Sequence, residues 1–327
     1  MLAVLLLAGS PVAAATMIAG GAKVDETPEY PVWLWVVGGR TTPTSNILQR
    51  IHAKTIAIGG DEENPAILIT LDALGASPRI RNELVRRLEA RTKVREAGVA
   101  ICTSHPHAAP LLSGDDPSQR EGVERYTRDL IDKRESVSLA ALADRRPSKL
   151  SWGAGQVSWG RNRRPAWAFQ PVDHSLPVLR VDDAEGRMRA VLASYACHAT
   201  SFGGNNQLHG DGVGCAQAYM EKEMPGVIGM VAIGCGGDTN PLPRGTWDHA
   251  LQYGHALGAE AKRVAAGPLK PISARLECRT RTIAIPLDKI PSRAEFEART
   301  LGKTAKEKSW PITPGCSWRN SLAGKSS

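Results

Sequence analysis

None of the six cysteines, at positions 102, 197, 215, 235, 278 and 316, stands in a CxxC or any other paired spacing. That removes the cysteine-based metal knuckle and the thioredoxin-type redox motif. Cys102, Cys197 and Cys235 each lie in or just after an apolar run and read as small buried hydrophobes, with a disulfide left open for an oxidising compartment. Aromatic residues are only 5% of the chain and do not interleave with the basic stretches, which excludes a stacking platform for single-stranded nucleic acid. After residue 15 no apolar run approaches the roughly 20 residues of a membrane span, so no transmembrane segment is expected. There is no internal repeat and no low-complexity tract.

What is present is an ordinary globular composition: 327 residues, 42% hydrophobic and 23% charged, enough to bury a large core. The formal net charge is +8, but the basic residues are scattered over 86–87, 145–146, 161–164 and the last thirty positions. No nucleic-acid partner is expected; the charge implies solubility and a contribution to peripheral contact with acidic lipid surfaces. Residues 1–15, MLAVLLLAGSPVAAA, have the apolar and cleavage parts of a secretory signal without its positively charged start. The expected organisation is a signal peptide over 1–16, a catalytic domain over 17–290 and an irregular tail over 291–327, exported to a secreted or periplasmic location.

Hydrophobic periodicity predicts strands over 53–59, 66–71, 98–102, 149–158, 176–182, 188–199, 227–233 and 272–286. It predicts helices over 79–94, 121–144, 213–223 and 247–266. Alternation of helices with short, wholly apolar strands implies an α/β fold: a mostly parallel, mixed sheet with helices on both faces. In such sheets ligands sit beyond the carboxyl ends of the strands, and Asp72, His105, His198 and Asp238 all fall there.

The central stretch is 193–211, ASYACHATSFGGNNQLHGD, where a buried strand breaks at His198 into a glycine- and asparagine-rich loop. On its own, His198 is better explained as a satisfied histidine capping a core strand. His105-Pro106-His107 puts two imidazoles on the same side of an extended backbone, and with His198 they would suit zinc. Alone, that pair has an even chance of being two solvated loop histidines. In 234–241, GCGGDTNP, backbone amides at Gly236 and Gly237 are able to face an oxyanion, and Asp238 and Asn240 to orient it or its attacking water. The competing explanation is an ordinary glycine turn. Arg161, Asn162, Arg163 and Arg164 offer planar cations for a carboxylate, phosphate or amide oxygen, or form a solvated basic loop.

Together these segments resemble the N-terminal catalytic domain of the neutral/alkaline, non-lysosomal ceramidase family, over nearly the whole chain from residue 22 to about 290. The resemblance rests on AKVDETP (22–28), VVGGR (36–40), TLDALG (70–75), TSHPHAAP (103–110), RNRR (161–164), YACHATSFGGNN (195–206) and IGCGGDTNP (233–241). It implies a zinc-dependent hydrolase of the amide in N-acylsphingosine or a related lipid. By resemblance, His105 and His198 bind Zn2+, and His107 and Arg163 lie by the reacting carbonyl or the product carboxylate. Two departures stand out. Asn240 occupies the place of the family's serine, with Thr239 beside it, so the chemistry falls to Thr239 or to metal-activated water. The family's later glutamate and tyrosine ligands have no counterpart before Ser327, and the immunoglobulin-like C-terminal domain is missing, as expected of a truncated chain. The alternatives are an inactive domain of this family and a metal-dependent amidase or esterase on a non-ceramide substrate.

Overall fold

The computed structural model describes residues 17–35, 40–113, 116–164, 171–203, 205–272, 275–287, 290 and 292–294. The expected signal peptide, most of the expected tail, residues 36–39 of the VVGGR turn, Gly204 and Cys316 lie outside the described residues.

The strands are β1 (Met17–Asp25), β2 (His52–Ile58), β3 (Ala66–Leu71), β4 (Val99–Thr103), β5 (Arg146–Gln156), β6 (Gly160–Asn162), β7 (Ser175–Asp183), β8 (Met188–Tyr195), β9 (Ile228–Ile233), β10 (Thr239–Pro241) and β11 (Lys270–Ile272). The helices are α1 (Pro78–Arg91), α2 (Arg120–Ala143), α3 (Asp211–Glu223) and α4 (Trp247–Ala266). The main sheet runs β4-β3-β2-β1-β5-β7-β8-β9, with β11 also on β5. Its class is α/β and its pairing mixed, as expected. The expected predominance of parallel pairing does not hold: only β3 with β4 and β8 with β9 are parallel. Those are the two pairs joined by helical crossovers, α1 and α3, whereas the tight turns between β2 and β3 and between β7 and β8 force antiparallel neighbours. The strands look parallel in sequence because both faces of the sheet are covered, which makes their apolar runs continuous.

The sheet is folded over on itself. Lys54 Nζ on β2 donates to Gly229 O on β9 at 2.6 Å. Those strands are five inter-strand steps apart, roughly 24 Å in a flat sheet at about 4.8 Å per step. Alternation along the strands gives the layering. On β2 and β3, Ala53, Ala57, Ile67, Ile69 and Leu71 share a core with Leu84 and Leu88 of α1 and Leu130 of α2. The opposite faces, with Ile56 and Leu68, pack against Val181, Ala190, Leu192 and Met230. The outer face of β8, with Val191, Ala193 and Tyr195, packs with Met220 of α3 and Leu257 and Ala261 of α4. The order is therefore helices, sheet, sheet, helices, and the expected helices on both faces lie on the outer faces of the folded sheet.

β1 has no clear periodic signal, since MIAGGAKVD is largely small residues. Smallness is what the position requires: a Cβ on Gly20 would lie 2.3 Å from Ala141 O, so glycine lets α2 lie against this central strand. The strand expected over 272–286 is confined to Lys270–Ile272, and 275–287 forms no strand. Ile283, Ile285 and Leu287 are exposed, so that apolar alternation has no sheet partner among the described residues. Cys235 is exposed, correcting its reading as buried, because it sits on the outside of a tight turn after β9; Cys102, Cys197, Cys215, Cys235 and Cys278 are all free. Among the described residues no helix is long and apolar enough to cross a membrane.

One buried ion pair ties α2 to the segment after β1. Arg134 Nε donates to Glu26 Oε1 at 3.0 Å, with the two side chains 0% and 1% exposed. Arg134→Met should lower the urea midpoint by the equivalent of about 3–5 kcal/mol, because it leaves the Glu26 carboxylate buried and alone. Adding Glu26→Gln should recover part of that loss; chemical denaturation of the three variants checks both.

Candidate metal centre

β4 and β8 lie near opposite ends of the strand order, and folding the sheet brings their exits together. Pro106, after β4, pairs in parallel with Ala199, after β8. His105, His107 and His198 therefore converge. Ring centroids are 5.1 Å apart for His105 and His107, 5.0 Å for His105 and His198, and 5.6 Å for His107 and His198. One ring nitrogen from each lies within 4.8 Å of those from the other two.

Backbone carbonyls aim two of the rings. His105 Nδ1 is 2.6 Å from Leu74 O, and the residue holds a left-handed φ of 59° that turns its ring inward from the strand exit. His198 Nδ1 is 2.7 Å from Gly236 O, and its own N–H donates to Thr239 O at 2.9 Å. With Nδ1 donating, each ring presents the lone pair on Nε2, the usual arrangement behind a metal-binding histidine. His107 differs: both its ring nitrogens are buried and neither has a hydrogen-bond partner among the described residues. Burial, and then the neighbouring His105 and His198, push its pKa down to about 4. Burial also lowers His198, against the pull of the Gly236 carbonyl. Both are thus neutral near pH 7, the form that donates to a metal.

The glycine-aspartate loop lies beside His198. Gly236 N–H donates to Gly234 O at 2.7 Å, and a Cβ there would sit 2.5 Å from Cys197 N. Close approach to the β8 exit and the hold on His198 thus account for this glycine. Gly237 and Asp238 are exposed, while Thr239 is buried. Thr239 Oγ1 donates to Asp238 Oδ1 at 3.0 Å, and Asn162 Nδ2 to Asp238 Oδ2 at 3.4 Å. Thr200 Oγ1 donates to Asn240 Oδ1 at 3.5 Å. β10 pairs with β6 so that Thr239 faces Asn162 and Asn240 faces Arg161, and Arg163 N–H donates to Asp238 O at 2.7 Å. Arg163 and the loop bearing Asp238, Thr239 and Asn240 thus stand at the edge of the histidine cluster. Asp72 does not join them: its carboxylate accepts from Ser104 Oγ, Gln217 Nε2 and His52 N–H, a buried pin for the β4 exit.

Two supporting residues carry no local sequence signal for their role. Arg40 is buried and donates to four carbonyls: Asn205 at 2.7 Å, Trp35 at 2.7 Å, His107 at 2.6 Å and Gly203 at 3.3 Å. It therefore clamps the loop after β4 to the loop after β8. His209 is buried beside Phe202 and Trp247 and accepts from Asp211 N–H at 3.1 Å. Asp211, with φ 55°, accepts in turn from the N–H groups of Ser201, Phe202 and Gly212. Nothing in a single chain marks which basic or imidazole side chain will be buried under a loop.

The family model described as neutral/alkaline non-lysosomal ceramidase, N-terminal, matches residues 38–250. A neutral ceramidase of Drosophila melanogaster is 27% identical over 224 residues, covering 59% of this chain and 31% of the fly protein. Neutral ceramidase 1 of Arabidopsis thaliana is 29% identical over 197 residues, covering 54% of this chain and 25% of the plant protein. This chain thus spans about a third or less of the relatives it matches. Among solved structures, neutral ceramidase from Pseudomonas aeruginosa superposes with a TM-score of 0.69 at 20% identity, over 80% of this chain and 46% of that one. A ceramidase complexed with C2 gives 0.70 at 19% identity, over 80% and 45%. At those identities the superpositions show the shared fold.

His209 makes the loop acid-sensitive. Burial holds its pKa at about 4, below the ordinary 6.5 of a free histidine. As pH falls the unfolded chain takes up this proton first, so the stability contribution is full above about 6.5 and is lost progressively toward 4. Urea midpoints measured between pH 7.5 and 4 should fall less steeply in His209→Gln than in the parent.

Proposed function

The chain belongs to the neutral/alkaline non-lysosomal ceramidase family, and from that premise we propose that it is a zinc-dependent hydrolase of an amide bond. The observation that carries this is the convergence of His105, His107 and His198. The donor set fits the metal. Three imidazoles are a borderline set suited to zinc, and the buried, unpartnered nitrogens of His107 gain in a bound cation the partner that burial otherwise denies them. In this reading His105 and His198 bind through Nε2, and His107 is the third ligand. A zinc ion held there supplies a Lewis acid that polarises a carbonyl oxygen and lowers the pKa of a water.

The remaining roles belong to side chains at the rim. Arg163 orients the scissile carbonyl or the carboxylate released from it by charge-assisted hydrogen bonds. Asp238 holds the attacking water and takes its proton, and its contacts with Thr239 and Asn162 keep the carboxylate aimed. Thr239 and Asn240 position the loop, and the amide of Gly237 is its oxyanion donor. The substrate class is a lipid amide of the N-acylsphingosine type or a related amide, met after export at or near a lipid surface. One observation favours a second reading, an amidase or esterase acting on something other than ceramide: Asn240 stands where the family's serine is expected.

Metal content by mass spectrometry, after dialysis against metal-free buffer, tests the centre. About one zinc per chain is expected, with His105→Ala and His198→Ala each losing it. Little or no metal in the parent protein would overturn the proposal, as would full zinc in either variant. Asp238→Ala should retain zinc and lose about 100-fold in turnover of an amide substrate, the scale of a lost general base. Equal loss of metal and turnover would make Asp238 structural instead.

A further inference from the structure

Three arginines gather beside the histidine cluster: Arg163 acts on His107 and His198, and Arg164 and Arg244 lie near Arg163. None of the three forms an ion pair among the described residues. Arg163 and Arg164 follow β6, which is anchored to β10. Arg244 lies on the loop between β10 and α4. That loop is tied down at three points: Leu242 N–H to Trp159 O at 3.3 Å, Gly245 N–H to Ser201 O at 2.7 Å, and Tyr253 Oη to Pro243 O at 2.6 Å. The Arg244 guanidinium donates to Thr200 Oγ1 at 3.4 Å, two residues beyond His198.

Arg163 is held below the usual guanidinium value by burial and then by repulsion from Arg164 and Arg244, and Asp238 is the carboxylate that offsets them. Like charges gathered on anchored loops raise the potential at the mouth, and an anionic ligand relieves that repulsion. A neutral lipid amide leaves it standing. Planar, forked guanidinium groups are suited to carboxylate and phosphate oxygens.

We propose that Arg164 and Arg244, both beside Arg163, select amide substrates that carry a separate carboxylate or phosphate. This rests on the hydrolase reading and narrows its substrate class to anionic amides such as N-acylated amino acids, in place of neutral ceramide. The anion is bound as a recognition element and no bond to it is made or broken.

The test is a matched pair of ligands with the same acyl chain and amide, N-octanoylglycine and N-octanoylethanolamine. Both are titrated calorimetrically into the full chain, with zinc supplied. N-octanoylglycine should bind at least tenfold more tightly, and the preference should shrink between low and high salt. Arg164→Gln and Arg244→Gln should each reduce the preference severalfold while leaving the affinity for the ethanolamide unchanged. Equal binding of the two ligands, or an undiminished preference in the double variant, would overturn the inference. So would binding only to phosphatidylglycerol vesicles with no discrimination between the free ligands, which would assign the arginines to a lipid surface. Turnover separates the two proposals. A preference for the anion with neither ligand hydrolysed sinks the hydrolase reading alone, and hydrolysis of both with equal binding sinks the anion selection alone.

Discussion

Lys54 reaches from β2 across the interior to Gly229 O at 2.6 Å and Glu221 Oε1 at 2.9 Å, and the folded-over sheet closes around it. A buried ammonium is costly unless it is paired and hydrogen-bonded, so the two halves of the sheet must stay within bonding distance or leave the charge stranded. Burial pulls the Lys54 pKa down, and Glu221 pulls it back toward the charged form. Asp72 repeats the constraint closer to the site, joining Ser104 and His52 of one half to Gln217 on α3 of the other. Everything at the histidine cluster depends on that closure, because β4 and β8 meet only in the folded-over sheet.

Once the exits meet, backbone carbonyls do most of the aiming. Leu74 and Gly236 supply the oxygens that hold His105 and His198, where many metal sites use a carboxylate. Such an arrangement is only as rigid as the loops that present the carbonyls. Arg40 steadies the histidine-bearing loops instead, donating to the carbonyls of His107 after β4 and of Gly203 and Asn205 after β8, and the small Gly236 permits its own loop to approach the β8 exit closely. His107 and His198 are held toward the neutral form by burial first and neighbouring charge second, and the neutral ring is the form of imidazole that donates to a metal.

The rim differs in character from the floor. The floor is three imidazole rings; beside them Arg163 lies near two further arginines, Arg164 and Arg244, and one carboxylate, Asp238. An imidazole floor suits metal-assisted hydrolysis, and a cationic rim suits a substrate that brings its own negative charge. Asn240 fits the same division, because its side chain accepts a hydrogen bond from Thr200 within the scaffold and has no nucleophilic atom to offer.

The histidines and the glycine-aspartate loop stood out in the sequence because each sits where an apolar run gives way to loop residues, a local signal, whereas Arg163 was singled out by the family resemblance alone. The same signal located α4 to the residue and β2, β3 and β9 to within one. β1 escaped it because a strand squeezed under a helix is built from small residues, and β11 was overextended because apolar alternation at 283–287 has no partner strand. The sequence by itself therefore determined the elements, the α/β class and the residue types available for chemistry. The tertiary structure alone decided that the sheet is mostly antiparallel, that it folds over, that His107 joins His105 and His198, and that Arg40, His209 and Arg244 support or surround them. Those outcomes depend on contacts between residues far apart in the chain, which no local pattern of hydrophobicity encodes.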